Sequence, residues 1–149
     1  MLITSFRSVQ SLFKDIENKN IVKVNYATYD DDNIYISMPY YKNGSLQDIL
    51  QERNLTVREI VKYSLEILSG LYYIHKKNIL HCDIKPSNIL IDDYGCAVLA
   101  DFGSAININH SGVGKLKNVY YKHIAPEQCY SSRVDVRVDI YQFGNTLYR

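Results

Sequence analysis

Three short apolar runs near the middle of the chain constrain its fold most. They cover residues 79–81, 89–91 and 97–100, and they are rich in Ile, Leu, Val and Ala. Runs of this length and composition predict β-strands. Each run is followed by a polar segment, so the chain is expected to carry polar groups in the loops that join short strands.

Helical patterns precede these strands. Apolar side chains recur at helical spacing over residues 2–18 and predict an amphipathic helix. Ser45 can cap a short helix that ends near Gln51, and Thr56 and Glu59 have the spacing of a capping box. A long helix is predicted from there to about Lys77. Its apolar stripe consists of Ile60, Val61, Ser64, Leu65, Leu68, Leu71, Tyr72 and His75.

The other segments are predicted to be strands, a loop and a last helix. Residues 21–26 and 33–38 have the composition of two strands, joined by an acidic turn at 30–32. Residues 102–125 show no clear period and are predicted to form a long loop, which in a compact domain is usually functional. Helix is expected again over residues 135–149, with an apolar or small set made of Val136, Ile140, Phe143, Thr146 and Leu147.

Composition and charge exclude several classes of function. The 149 residues include 17 Lys and Arg against 16 Asp and Glu, so the net charge favours neither nucleic acid nor an anionic membrane as a partner. No apolar run approaches the ~20 residues of a membrane span, and residues 1–6 are too short for a signal peptide. The three cysteines lack metal-ligand spacing and are expected to be free thiols. We therefore expect a cytoplasmic protein, with the nucleus as the alternative.

The polar segments after two of the strands carry a set of residues suited to phosphoryl transfer. Asp83, Lys85 and Asn88 supply a carboxylate, an ammonium and an amide within six positions, and Asp101 follows the strand at 97–100. This reaction needs a carboxylate to orient the attacking hydroxyl, a cation to offset charge on the phosphoryl group, and oxygen ligands for Mg²⁺. Asp83 suits the first role, Lys85 the second, and Asn88 with Asp101 the third.

Four motifs at matching spacings make the chain resemble the eukaryotic-type protein kinases. Residues 81–88, His-Cys-Asp-Ile-Lys-Pro-Ser-Asn, match the catalytic-loop pattern H-R-D-x-K-P-x-N except at Cys82. Residues 101–103 match D-F-G, and residues 125–127 match A-P-E. Asp139 and Gly144 match the D-x-x-x-x-G of the following helix. Any one of these motifs is a weak signal, and the joint match carries the inference.

The resemblance implies a role for several further residues. Met38 would be the gatekeeper beside the nucleotide, backbone groups near Tyr41 would face the adenine, and Leu90 would pack under it. In the family the His of the catalytic loop packs against the D-F-G Phe, which here are His81 and Phe102. Lys85, two residues after the catalytic Asp, is typical of Ser/Thr rather than Tyr phosphorylation.

The resemblance also implies an α+β fold and a division of the chain. Residues 1–149 are predicted to form a partial protein kinase domain, with a small-lobe remnant at 1–38, a hinge at 39–44 and a large-lobe portion at 45–149. The Gly-rich loop, the small-lobe lysine and the C-terminal helices of the family have no counterpart here. Val9 or Gln10 stands where the family has a Glu, and Tyr120 and His123 stand where it has Thr and an aromatic residue.

Two functions follow from the resemblance. The first is transfer of the γ-phosphoryl group of ATP to a protein Ser or Thr, with Mg²⁺ as cofactor and with the domain incomplete in this chain. The alternative is a catalytically inactive kinase-like protein that binds or decoys another kinase through its exposed large-lobe surface. Cys82 in place of Arg further resembles the subset of kinases that do not use that Arg to receive a phosphate of the activation loop.

Overall fold

The computed structural model describes residues 16–31, 33–116 and 124–148. Its elements, in chain order, are β1 (Tyr26–Tyr29), β2 (Ile34–Ser37), α1 (Leu46–Glu52), α2 (Val57–Lys76), β3 (Ile79–Leu80), β4 (Ile89–Ile91), β5 (Ala97–Leu99), β6 (Ile106–Asn107), β7 (Gly114–Lys115), β8 (Arg133–Val134) and α3 (Arg137–Leu147). Most of the helix predicted over residues 2–18 lies outside the described residues, and residues 16–18 are irregular rather than helical.

The strands pair two by two. β1 and β2 form an antiparallel hairpin, and so do β4 and β5, in which Ile89 faces Leu99 and Ile91 faces Ala97. β3 pairs with β6, and β7 pairs with β8. The strands expected at 89–91 and 97–100 are therefore confirmed. The prediction of a long loop over residues 102–125 is wrong in part, because β6 and β7 lie within it. β6 pairs with β3, and β7 pairs with β8.

The first predicted strand is displaced along the chain. It was expected over residues 21–26, but the hairpin strand begins at Tyr26. Ile21 and Val22 are buried, and their segment bonds with β5: Val22 N donates to Leu99 O at 2.8 Å and Leu99 N donates to Asn20 O at 2.9 Å. Because both side chains enter the main core, residues 20–22 belong with α2 and β5 and not with the hairpin.

Both predicted helix starts are confirmed by reciprocal capping bonds. Ser45 Oγ accepts from Asp48 N at 3.3 Å, while Asp48 Oδ2 accepts from Ser45 N at 2.7 Å. At the start of α2, Thr56 Oγ1 accepts from Glu59 N at 3.2 Å and Glu59 Oε2 accepts from Thr56 N at 2.9 Å. Each pair satisfies two main-chain donors that the helix leaves without partners.

The buried face of α2 is not the predicted one. Its buried residues are Tyr63, Ile67, Gly70, Leu71 and Ile74. Of the predicted stripe only Leu71 is fully buried, and Leu65 is 63% exposed. Both sides of this helix are apolar, so periodicity does not select the inner one; contact with β5 does. We call the exposed side the outer stripe: Val57, Val61, Leu65, Leu68 and Tyr72.

Two apolar clusters form the core. The larger joins α2, the β4–β5 hairpin, residues 21–22 and Phe143 of α3. The smaller surrounds Cys82 and Val138 and includes Leu80, Leu116, Ala125 and Val134. On α3, Phe143 and Thr146 are buried as expected, but Ile140 and Leu147 are exposed. Val138, Asp139 and Gln142 take the inner positions instead, and two of these three are polar.

Two smaller observations complete the description. Cys82, Cys96 and Cys129 are free thiols, as predicted. None of the helices that the structure describes combines the length and the apolar character needed to cross a membrane.

Candidate active site

The loop between β3 and β4 gathers three of the predicted site residues around one carboxylate. Asp83 Oδ2 lies 2.7 Å from Lys85 Nζ and 2.8 Å from Asn88 Nδ2. Among the described residues, none donates to the other oxygen, Oδ1. The carboxylate is partly buried, with 18% of its side chain exposed, so it stays accessible to a molecule that approaches from outside. The sequence placed these residues together correctly because they lie within one short loop.

Asn88 connects the two ends of the segment 83–88 by hydrogen bonds within the loop. Its Nδ2 also donates to the main-chain oxygen of Asp83 at 2.9 Å, and the turn Pro86–Asn88 carries it back toward that residue. Among the described residues, its Oδ1 has a single, long contact, 3.4 Å from Ser87 Oγ. An amide oxygen with so weak a partner can still act as a ligand.

The segment that carries Asp101 is connected to this loop by a main-chain hydrogen bond. Ala100 N donates to Asn88 O at 2.9 Å, so the residue before Asp101 is bonded directly to the predicted amide ligand. Asp101 itself has a φ of 59°, a left-handed conformation that is uncommon for residues other than glycine. Its Oδ1 accepts from Gly103 N at 3.3 Å, and the residue is exposed. Backbone strain of this kind is often found at functional sites.

His81 links the loop to the Asp101 segment from within the core. Its Nε2 lies 3.0 Å from Ala100 O, and because a carbonyl oxygen only accepts, Nε2 carries the proton. Nδ1 is then free to accept from Asp83 N at 3.3 Å. Burial lowers the pKa of His81, which favours this neutral form. The ring packs on Phe102 at 4.6 Å between centroids, as the resemblance implied.

Helix α3 supports the loop from below through two buried polar residues. Asp139 accepts from His81 N at 2.9 Å and Cys82 N at 2.7 Å, and it also contacts His75 Nε2 at 2.8 Å. Gln142 contacts the main chain on both sides of Asp83. The D-x-x-x-x-G pattern singled out Asp139. Gln142 was missed, and its only signal was a polar residue on the inner side of a helix.

Comparison with known proteins decides the family. The protein kinase domain family matches residues 4–149. The chain belongs to this family. It is 34% identical over 150 residues to a probable serine/threonine-protein kinase of Clostridium acetobutylicum, which covers 98% of this chain and 23% of that protein. It is 37% identical over 140 residues to mitogen-activated protein kinase kinase kinase YODA of Arabidopsis thaliana. This match covers 92% of this chain and 16% of that protein.

A third relative is also named as a serine/threonine-protein kinase. The chain is 29% identical over 150 residues to a probable serine/threonine-protein kinase of Clostridium perfringens, covering 99% of this chain and 22% of that protein. The chain thus spans less than a quarter of the length of each of these three kinases. The predicted α+β, protein-kinase-like fold is confirmed. The division of the kinase domain at 38 and 44 stays a prediction, and Val9, Gln10, Tyr120 and His123 lie outside the described residues.

Two of the three residues predicted to contact adenine in this kinase domain pack against the core. Tyr41 and Leu90 are half-buried against the larger cluster. Leu90 faces Val98 across the β4–β5 pair and bridges to Ser45. Burial raises the pKa of the Tyr41 hydroxyl. Met38 follows β2 and is 47% exposed. The roles of these three residues stay predictions.

The oxygen atoms available in the kinase domain suit magnesium. Within residues 16–31, 33–116 and 124–148, no three His, Cys, Asp or Glu side chains form a metal cluster. Mg²⁺ rarely uses such cages and is usually bound by one or two protein oxygens together with substrate phosphates. Asn88 Oδ1 and the Asp101 carboxylate provide two such oxygens on segments joined by a main-chain bond, so the residues present fit this ion.

Proposed function

We propose that this kinase domain transfers the γ-phosphoryl group of ATP to a Ser or Thr hydroxyl of a protein, with Mg²⁺ bound by Asn88 and Asp101. The observation that carries the proposal is the Asp83 carboxylate. One oxygen is held by Lys85 and Asn88, and the other has no donor among the described residues. A fixed carboxylate with one oxygen available can accept the proton of an approaching hydroxyl.

Lys85 has two uses in this arrangement. Its ammonium group is 2.7 Å from Asp83 Oδ2 and helps to hold the carboxylate in one orientation. The Lys85 side chain is 31% exposed, so its ammonium group can also face the phosphoryl group of a bound nucleotide. Magnesium, when bound, would neutralise charge on the phosphate oxygens. The choice of Ser or Thr rests on Lys85 and on the names of the relatives.

The test is phosphate transfer from labelled ATP to casein by the full-length protein in the presence of Mg²⁺. Asp83→Asn is expected to lower kcat by roughly 10²–10⁴-fold, because that is what a positioned base contributes. Nucleotide binding should be retained, since Asp83 is assigned to the hydroxyl. Label is expected on Ser and Thr, and chelation of Mg²⁺ should stop transfer.

Asp93→Asn is the matched control. Asp93 is an exposed acid paired with Lys42 at 3.4 Å, and its replacement should leave turnover unchanged. Equal turnover by Asp83→Asn and the wild type would remove Asp83 from the mechanism. A full-length wild-type protein that binds other kinases but transfers no phosphate would favour the inactive, kinase-binding alternative. The free thiols fit the cytoplasmic or nuclear location that we propose with this function.

A further inference from the structure

Gln142 makes two hydrogen bonds to the main chain of the loop that carries Asp83. Its Oε1 accepts from Ile84 N at 2.9 Å, and its Nε2 donates to Cys82 O at 3.0 Å. The residue is 2% exposed, so both bonds are shielded from water. It lies on α3, one turn after Asp139, and it reaches the loop across 58–60 residues of sequence.

The two bonded groups lie on either side of the Asp83 α-carbon. Cys82 O belongs to the peptide unit before Asp83, and Ile84 N belongs to the unit after it. Because each peptide unit is planar, the orientations of these two units determine φ and ψ of Asp83. A single carboxamide therefore restrains both backbone dihedrals of the proposed base, and with them the direction in which its side chain leaves the backbone.

The preceding residue shows why such a restraint is needed. Cys82 has a φ of 65°, the left-handed region that favours glycine. A conformation of this kind persists only where its surroundings hold it. Cys82 N is bonded to Asp139 Oδ1 at 2.7 Å and Cys82 O to Gln142 Nε2, so α3 holds both ends of the strained residue. The Cys82 side chain is buried in the smaller cluster.

The other contacts of Asp83 cannot supply the same restraint. Lys85 bonds to its side chain, Asn88 bonds to its side chain and its carbonyl oxygen, and His81 Nδ1 accepts from its N–H at 3.3 Å. Each of these residues reaches at most one of the two peptide units, and all three lie in the same segment as Asp83. Gln142 belongs to a helix that packs in the core through Val138 and Phe143, so it relates the loop to a rigid frame.

We propose that Gln142 is a positioning residue for phosphoryl transfer: its side-chain amide fixes the backbone on both sides of Asp83 and so aims the carboxylate at the acceptor hydroxyl. This inference rests on the function proposed above. Gln142 is buried and bonds to the backbone of the loop, so its loss should lower kcat and leave the KM for ATP unchanged. A side chain that only stabilises the fold would not separate the two constants.

The test compares two full-length variants. Gln142→Met has a similar length and removes both bonds to the loop. Thr146→Val is the matched control, since the Thr146 hydroxyl is buried on the same helix and donates to the main-chain oxygen of Gln142, away from Asp83. We expect Gln142→Met to lower kcat on the order of 10²-fold, as a small misplacement of a reacting group can. Thr146→Val should keep wild-type kcat. Equal kcat in both variants would overturn the proposal.

Amide hydrogen exchange supplies a readout that needs no activity and no variant. In the wild type the Ile84 amide should exchange slowly, because Gln142 is its acceptor. Fast exchange there would refute the restraint of the backbone by Gln142, even if Gln142→Met does not fold. A wild type without phosphate transfer would overturn the proposed function and, with it, the positioning role. Slow exchange at Ile84 would then support only the hydrogen bond from Ile84 N to Gln142 Oε1.

Discussion

At the scale of single residues, Asp139 is a buried acid that accepts hydrogen bonds from the main chain of the loop that carries Asp83. The side chain has no exposed surface, yet it has three hydrogen-bonding neighbours: the main-chain N–H groups of His81 and Cys82, and the ring of His75. Without the carboxylate, two main-chain donors in the core would have no acceptor. An unsatisfied buried donor costs more than the net gain from an average hydrogen bond.

We therefore expect Asp139→Ala to lower the free energy of unfolding by about 2–6 kcal/mol, which is about 1–3 kcal/mol for each orphaned N–H group. Urea unfolding followed by circular dichroism measures this change. Asp93→Ala is the control, because Asp93 forms an exposed pair with Lys42 at 3.4 Å. Such surface pairs contribute about 0–1 kcal/mol. Similar losses in both variants would contradict the role given to Asp139.

At the scale of elements, the start of α2 depends on one acid. Glu59 accepts from Thr56 N and from Arg53, with Arg53 Nη2 at 2.7 Å from Oε1. The Arg53 bond, followed by the bonds from Thr56, lowers the pKa of Glu59 from its ordinary 4.5 to about 2. The helix start is therefore stabilised by the ionised form of this side chain.

The pKa shift predicts a window of pH dependence. The folded-state pKa is lower than the unfolded one, so the stabilisation is complete above about 4.5 and is lost as pH falls toward about 2. Glu59→Gln should have a lower Tm than the wild type at neutral pH, and the difference should shrink through that window. Glu52→Gln, at the exposed end of α1, is the matched control; its side chain receives no hydrogen bond from the described residues, so its Tm at neutral pH should stay close to that of the wild type. A difference in Tm that is constant with pH would count against the ion pair.

At the scale of the whole molecule, Gly70 marks the place where three segments meet. A Cβ at this position would lie 2.8 Å from Leu99 Cδ1 and 2.9 Å from Asn20 O. That oxygen is main chain and already accepts from Leu99 N, so it has little freedom to move. The close approach of α2, β5 and residues 20–22 depends on the absence of a side chain.

Gly70→Ala should therefore destabilise the protein by about 1–3 kcal/mol, the usual cost of overpacking, although alanine is the better helix former by about 1 kcal/mol. Gly144→Ala in α3 is the matched control, since no atom of another segment that the structure describes lies within 4 Å of the added Cβ. It should stabilise the protein by about 0.5–1 kcal/mol. Thermal unfolding measures both, and a gain in Tm for Gly70→Ala would show that the three segments do not pack as described.

The outer stripe of α2 makes a second prediction at this scale. Val57 is 78%, Leu65 63% and Tyr72 65% exposed along one side of a helix of 20 residues. Apolar surface arranged in this way favours association. A polypeptide of residues 1–149 is therefore expected to self-associate in sedimentation velocity. Leu65→Lys combined with Tyr72→Lys should shift it toward monomer, whereas Tyr94→Lys, in an exposed turn, should not. A monomeric wild-type polypeptide would contradict this expectation.

Features that depend on neighbouring residues could be predicted from the sequence. Thr56 and Glu59 cap α2 because the two residues lie within one helical turn. Asp83, Lys85 and Asn88 meet because one loop holds them. The family, too, follows from motifs that can be read along the chain, and the match over residues 4–149 confirms it.

Features that depend on distant contacts were decided only by the tertiary structure. The two sides of α2 are both apolar, and the side that meets β5 became the buried one. Residues 21–22 pair with β5 instead of extending the hairpin because both side chains enter the core. Gln142 reaches Ile84 from 58 residues away. The sequence determined local hydrogen bonding and the residue types of the loop. Only packing could determine which faces are buried, and hence which buried polar groups need a hydrogen-bonding partner from a distant segment.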